Sequence, residues 1–193
     1  MNRHKAPVVK LHENVERILH AITYVIRYAN GQGKEPTQYE IVKTLFLADR
    51  AHINNWGRPI TYDNYCAMEH GPVPSLSYNL LKQDVRSMRK HSIRALPWVS
   101  EQQDKCITFS QAEDMAFDEV LSPSDIEALE NAFATVSSLS FSQIRKLTHE
   151  DAAYVDAWDD EADKKSFEMS LGLLFDTPNY DEAERMAEHS QYV

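Results

Sequence analysis

Residues 66–81 read CAMEHGPVPSLSYNLL. Within them, His70-Gly71-Pro72-Val73-Pro74 sets two prolines one residue apart. Proline has no amide N–H and a fixed φ, and it drives the residue before it toward extended backbone. No helix can run through 70–74. The chain must change there from an extended segment, YCAM at 65–68, to a new helix for which Ser75 is the expected cap. Three of only five glycines and eight prolines sit in this one link.

Helical periodicity dominates the rest. Val15, Ile18, Leu19, Ile22, Val25, Ile26 and Ala29 recur at three- and four-residue spacing and predict a first helix, stopped by Asn30-Gly31 and Gly33. Thr37 and Glu40 form a capping-box pattern for a second helix running to about Asn55. It would bury Ile41, Leu45 and Ala48, with Val42 and Phe46 widening the stripe, and end at Gly57. Leu76, Leu80, Leu81, Val85 and Met88 predict a third helix over 76–90. LPWVSEQQDKCITF, 96–109, has two apolar arms around a polar turn and reads as a hairpin that pairs with 65–68 in a three-stranded sheet. Ser122-Pro123-Ser124-Asp125 and Ser140 with Gln143 start two more helices. Segments 151–158 and 166–175 are expected to be helical, and the tail from Asp181 to Gln191 polar and frayed. The expected fold is mainly α. It is a single helical domain with a small antiparallel β-sheet, built from a strand near 65–69 and the hairpin near 96–109. Residues 1–160 would form the domain and 161–193 an acidic helical extension.

Charge divides the chain. Residues 1–110 carry 15 Lys+Arg against 10 Asp+Glu, and residues 111–193 carry 5 against 20. The acidic half is either a solvated surface or a face for a basic partner. Apolar runs fall short of the roughly 18 residues a membrane span needs, and charges interrupt the first twenty residues, so a cytoplasmic protein is expected.

Chemistry-bearing motifs are missing. The chain has no G-x-S-x-G, P-loop, H-E-x-x-H or G-x-G-x-x-G pattern, so neither catalytic residues nor a cofactor are expected. Cys66, His70, His91 and Cys106 do not have zinc-ligand spacing. DAWDDEAD, 156–163, lacks the central glycine of a calcium loop. Helix, helix, strand, helix, hairpin over 37–109 fits a winged helix, with Lys82, Arg86, Arg89, Lys90 and Arg94 as its basic run. A net charge of −10 weighs against DNA as partner.

One block goes further. KTLFLADRAHINNWGRPITYDNYCAMEHGPVPSLSYNLL, 43–81, resembles the Panacea domain, also described as SocA-like or GepA-like. The resemblance rests on Lys43, Leu45, Phe46, Ala48 and Asp49, then Gly57-Arg58-Pro59-Ile60, Tyr65 to Glu69, and Gly71-Pro72-Val73. Residues 121–133 and 139–158, with Leu147, His149 and Trp158, resemble the family's second half. Phe46 replaces a usual Tyr, and Ala153-Tyr154 a frequent Pro-Trp pair. The resemblance spans about 10–160. It implies a non-catalytic antitoxin that binds a cognate toxin protein, with a cytosolic protease as a further partner where the family acts as an adaptor. A DNA-binding autoregulator is the alternative.

The link at 70–74 then has two readings. It sets a turn, or it also presents a docking surface, since rigid turns and aromatics lose little entropy on binding. Candidate partner-binding residues are Trp56, Arg58, Tyr65, His70, Val73 and Tyr78, and the acidic Asp156, Asp159, Asp160 and Asp163.

Overall fold

The computed structural model describes residues 5–193. The elements run α1 (Val15–Gly31), α2 (Gln38–Trp56), β1 (Tyr65–Met68), β2 (Gly71–Pro74), α3 (Ser75–Leu81) and α4 (Val85–Lys90). They continue with β3 (Val99–Gln103), β4 (Cys106–Ser110), α5 (Phe117–Val120), α6 (Pro123–Ser138), α7 (Phe141–His149), α8 (Ala152–Ala157), β5 (Phe167–Glu168), a 3₁₀ turn (Leu171–Leu173) and α9 (Tyr180–Ser190). The fold is mainly helical with two small antiparallel sheets, one of three strands and one of two.

Helix α2 is the axis. Its Ile41, Val42, Leu45 and Ala48 join α1, α3 and α6 in one core with Ile22, Leu80, Phe109 and Phe133. Its Phe46 and Ile53 join Tyr65, Tyr154, Met169, Leu174 and Met186 in a second core. With α2 packed on both sides through its middle turns, Lys43, Asp49 and His52 are buried with it, and its exposed residues are Ala51 and, at its end, Asn55 and Trp56. All three expected capping boxes form, at Thr37/Glu40, Ser122/Asp125 and Ser140/Gln143.

The sheet differs from the expected pairing. Strand β1 pairs with β2 on one side and β5 on the other, in the order β2-β1-β5, while β3 and β4 form their own hairpin, linked elsewhere by a Thr37–Thr108 bridge. The prolines fix this. Tyr65 pairs with Pro74, Cys66 with Val73 and Ala67 with Pro72, and the Ser75 N–H donates to Asn64 O. Antiparallel hydrogen bonds alternate. Pro72 and Pro74 therefore occupy the non-bonded pairs of an edge strand, where a missing N–H breaks no ladder bond. The same alternation turns the Pro72 carbonyl outward, away from β1.

Four local expectations need correction. Ser75 does not cap α3: the cap position is Pro74, and the carboxylate of Asp63 accepts from the N–H groups of Leu76 and Ser77. The helix expected over 76–90 breaks into α3 and α4 at Gln83, which has φ 56°, and Asp84 recaps α4. Residues 166–175 form β5 and the 3₁₀ turn, with Gly172 against the Tyr180 ring, where a helix was expected. The tail is not frayed: α9 buries Ala183 and Met186.

Residues 5–12 run along this late-sequence layer. Lys5 Nζ donates to Ala157 O (2.8 Å), the Ala6 N–H to Asp156 Oδ2 (3.1 Å) and the His12 N–H to Ser190 Oγ (2.8 Å). Pro7 O accepts from Ser170 Oγ at 2.6 Å.

Candidate functional site

A groove of about 790 Å³ opens between the first turns of α2, the β1–β2 turn, the β3–β4 hairpin and the start of α7. Tyr39, Met68, His70, Val73, Tyr78, Phe141 and Ile144 supply much of its apolar lining. Phe141 is 49% exposed and packs on Tyr39 (ring centroids 4.7 Å apart) and edge-on against His70 (5.5 Å).

Lys43 also lines this groove, yet it is only 1% exposed. Its ammonium donates to the outward Pro72 O (2.7 Å) and lies 5.3 Å from the centre of the Tyr39 ring. Burial alone pushes its pKa from 10.5 down to about 7. Gly71 makes room for it. A Cβ there would stand 2.9 Å from Lys43 Nζ and 2.7 Å from Thr148 Oγ1, and φ is +102°. Two other residues of the groove lining carry buried polar atoms with no hydrogen-bond partner among the described residues, Gln38 Nε2 and Tyr39 OH. His149 Nε2 is in the same condition, and burial, with Arg145, Lys43 and His70 nearby, holds that imidazole below its ordinary pKa.

Buried carboxylates hold the frame around the groove. Asp49 accepts from the N–H groups of Ile60 (2.7 Å) and Thr61 (3.0 Å), from Thr61 Oγ1 (2.5 Å) and from Tyr65 OH (2.9 Å). It thereby ties α2 to the segment after Gly57-Arg58-Pro59. Asp63 ties that segment to α3, taking Leu76 N, Ser77 N and Ser77 Oγ. Burial raises both carboxyls, Asp63 to about 6, against the pull of these hydrogen bonds.

Asp125 is the hub of a third cluster. Oδ2 receives Arg17 Nη2 (2.7 Å), Arg58 Nη2 (3.1 Å) and the Ser122 N–H (2.9 Å), and Oδ1 faces Arg58 Nη1 (2.9 Å). Burial opposes its charge, but the bonds from Arg58, Ser122 and Arg17 outweigh it and hold the carboxyl below its ordinary range. Burial also lowers the pKa of His52, which as a neutral ring donates Nδ1–H to Arg58 O (2.8 Å) and accepts Ser124 Oγ at Nε2 (3.1 Å).

The sequence-predicted site residues do not form one surface. His70, Val73 and Tyr78 meet in the groove, with Val73 only 8% exposed and lying between the groove and the first core. Tyr65 is 6% exposed and serves Asp49, so neither Tyr65 nor Val73 projects as a side chain on a surface. Arg58 is spent on Asp125. Trp56 is 63% exposed at the far end of α2, about 27 Å along the helix from Gln38. It borders a shallow slot between α2 and α6 with Leu47, Ala51 and Leu147. Asp156 accepts the Ala6 N–H, Asp160 the Trp158 Nε1–H (2.6 Å) and Asp159 the Glu161 N–H (3.1 Å), while Asp163 is exposed.

Sequence reasoning missed Lys43 and Phe141 as site residues. The available signal for Lys43 was a helix with apolar residues on both faces, which leaves an intervening lysine nowhere to go but inside. Phe141 follows the Ser140 cap directly, a position that projects from a helix start. Among the described residues, no group of three or more His, Cys, Asp or Glu side chains could hold a metal ion, and no helix is long and apolar enough to cross a membrane.

No curated protein and no solved structure matches the chain. The profile of the family described as antitoxin SocA-like, Panacea domain, matches residues 41–154, from Ile41, just past the α2 capping box, to Tyr154 of α8. That span takes in Lys43, the three buried carboxylates, the β1–β2 turn and Phe141. The family is non-catalytic and implies a cognate toxin as partner. With more than half of its length inside that match, the chain belongs to the SocA-like antitoxin family and carries its Panacea domain.

Proposed function

We propose that this antitoxin neutralises its toxin by direct, stoichiometric protein–protein contact, and that the groove bounded by His70, Tyr78 and Phe141 is the centre of the docking surface. The observation that carries this reading is the half-exposed Phe141, held between Tyr39 and His70 at the rim of the groove of about 790 Å³. Preordered aromatics around an apolar pocket are typical anchors of an interface. The exposed carboxylates of Asp159, Asp160 and Asp163 would steer a basic region of the toxin, with Asp156 behind them. Trp56 would be a second, separate contact. Val73 and Tyr65 would act from beneath, by holding the β1–β2 turn and its neighbour in place, and Arg58 through Asp125.

The DNA-binding alternative draws less support, because the segment expected to read DNA is divided between α3 and α4, of seven and six residues, and α3 turns Leu76, Leu80 and Leu81 into the core. Co-expression tests the antitoxin reading. The product of the adjacent open reading frame should arrest growth alone, and this chain should restore it and co-purify with it. Failure of rescue with both proteins present and soluble would overturn the proposal. Phe141→Ser should reduce rescue while leaving circular dichroism unchanged.

A further inference from the structure

Lys43 is a buried cation without a counter-ion. An ammonium has three N–H donors, and here one is used, on Pro72 O. Among the described residues no carboxylate lies within ion-pair distance of it, although such pairs form elsewhere, as between Arg17 and Asp125 or Arg50 and Asp151. The titratable groups around it include one permanent cation and two imidazoles. Arg145 and His149 come from α7 and His70 from the turn. The nearest acid on its own helix, Glu40, gives Oε2 to the Thr37 N–H and Oγ1, both at 2.7 Å. Glu69 stands exposed on the turn, where its carbonyl faces Arg145.

The groove above it has matching chemistry. Lys105 and Lys165 line it along with Lys43, against Glu40 and Glu69, so this concavity carries no excess of negative charge in a chain of net charge −10. Gln38 Nε2 and Tyr39 OH, both unpartnered, are two further donors on residues of the same lining. Buried donors without acceptors are costly, and a carboxylate accepts from several at once. The four-carbon stem of a lysine is flexible, so its ammonium can turn from Pro72 O toward an anion seated in the groove.

We propose that the groove receives an acidic side chain of the toxin, flanked by apolar residues, whose carboxylate becomes the missing counter-ion of Lys43. This rests on the docking reading above and names what enters the site. The apolar flanks cover Phe141, Tyr78 and Met68, and covering them shuts water out and strengthens the ion pair. In free protein the ammonium sheds its proton near neutral pH. A bound carboxylate raises that pKa, so docking takes up a proton.

The test has two arms. In the first, phenylacetate is titrated into the free protein while Lys43 Nζ is followed by NMR. The Lys43 pKa should rise by a unit or more, and the perturbation should vanish in Lys43→Met. In the second, toxin affinity is measured between pH 7 and 9. It should weaken up to about tenfold per pH unit above the free-state pKa of Lys43. Lys43→Met, which keeps a similar stem, should bind more weakly with a flat profile while its circular dichroism matches wild type. Burial holds His149 below its ordinary pKa, so it stays neutral across this window. Tight toxin binding with the same pH profile in wild type and Lys43→Met would overturn the carboxylate proposal and leave the antitoxin reading intact. A Lys43 shift with phenylacetate and none on adding toxin would also overturn it, by showing a small-anion site that the toxin does not use. Absence of any complex with the toxin would overturn the docking reading, and this proposal with it.

Discussion

Asp125 and Lys43 are both buried charges on long helices, and their surroundings are opposites. Asp125 gathers two arginines and a backbone N–H, and Lys43 has one carbonyl and an aromatic face. The first set of contacts keeps a carboxyl ionised inside the protein. The second leaves an ammonium near the edge of neutrality. A charge that is saturated from within can only hold the fold together. One that is left short has a use for something from outside. Asp125 joins α1, α6 and the Gly57-Arg58-Pro59 turn, whereas Lys43 lies under a groove.

Removing each group should break this contrast in opposite directions. Asp125→Ala strands Arg17 and Arg58, and an uncompensated buried charge typically destabilises by about 3–5 kcal/mol. Urea unfolding should show that loss. Lys43→Met should not destabilise at neutral pH. The linkage has a definite sign. The folded pKa of about 7 lies below the unfolded 10.5, so the unfolded chain holds the extra proton between them and stability rises with pH across that window. The slope approaches about 1.4 kcal/mol per pH unit. Denaturation at pH 7 and pH 9 should show the rise in wild type and lose it in Lys43→Met. The smallest effect is expected at the exposed acids. Changing Asp159, Asp160 and Asp163 together to Asn should move stability by less than about 0.5 kcal/mol, since Asn can still accept the Trp158 indole N–H. If those acids steer a basic toxin, the same change should slow association at low salt and flatten its salt dependence.

How far the sequence could be read follows the same divide between local and remote causes. The helix starts were legible because a capping box is complete within four residues. The order of α1, α2 and α6 was legible because their apolar periods are long. The pairing of β1 was not. Its partners are a four-residue strand with two prolines and the two residues Phe167–Glu168, a hundred positions away. The cap of α3 was misread for the same reason: Ser75 satisfied a local rule that Asp63, twelve residues earlier, satisfies from across a loop. At the site, the turn at 70–74 was visible as a constraint, and the family block around it was visible as a resemblance. The groove was not. It needs Phe141 and Tyr39 from separate helices brought together, and no pattern in either segment specifies that meeting.

The stitching of residues 5–12 to the last part of the chain has a consequence for the order of events in synthesis. Lys5, Ala6, Pro7 and His12 find their partners on Ala157, Asp156, Ser170 and Ser190. At roughly 5–20 residues per second, those partners emerge about 10–40 s after the segment that awaits them. The first core can assemble on the ribosome, because α1, α2, α3 and α6 are all made by Ser138. The second waits for Met169, Leu174 and Met186, which are made later. A nascent chain stalled after Tyr154 would contain the whole matched family span while leaving one edge of β1 bare, α8 unfinished and Ala153 and Tyr154 uncovered.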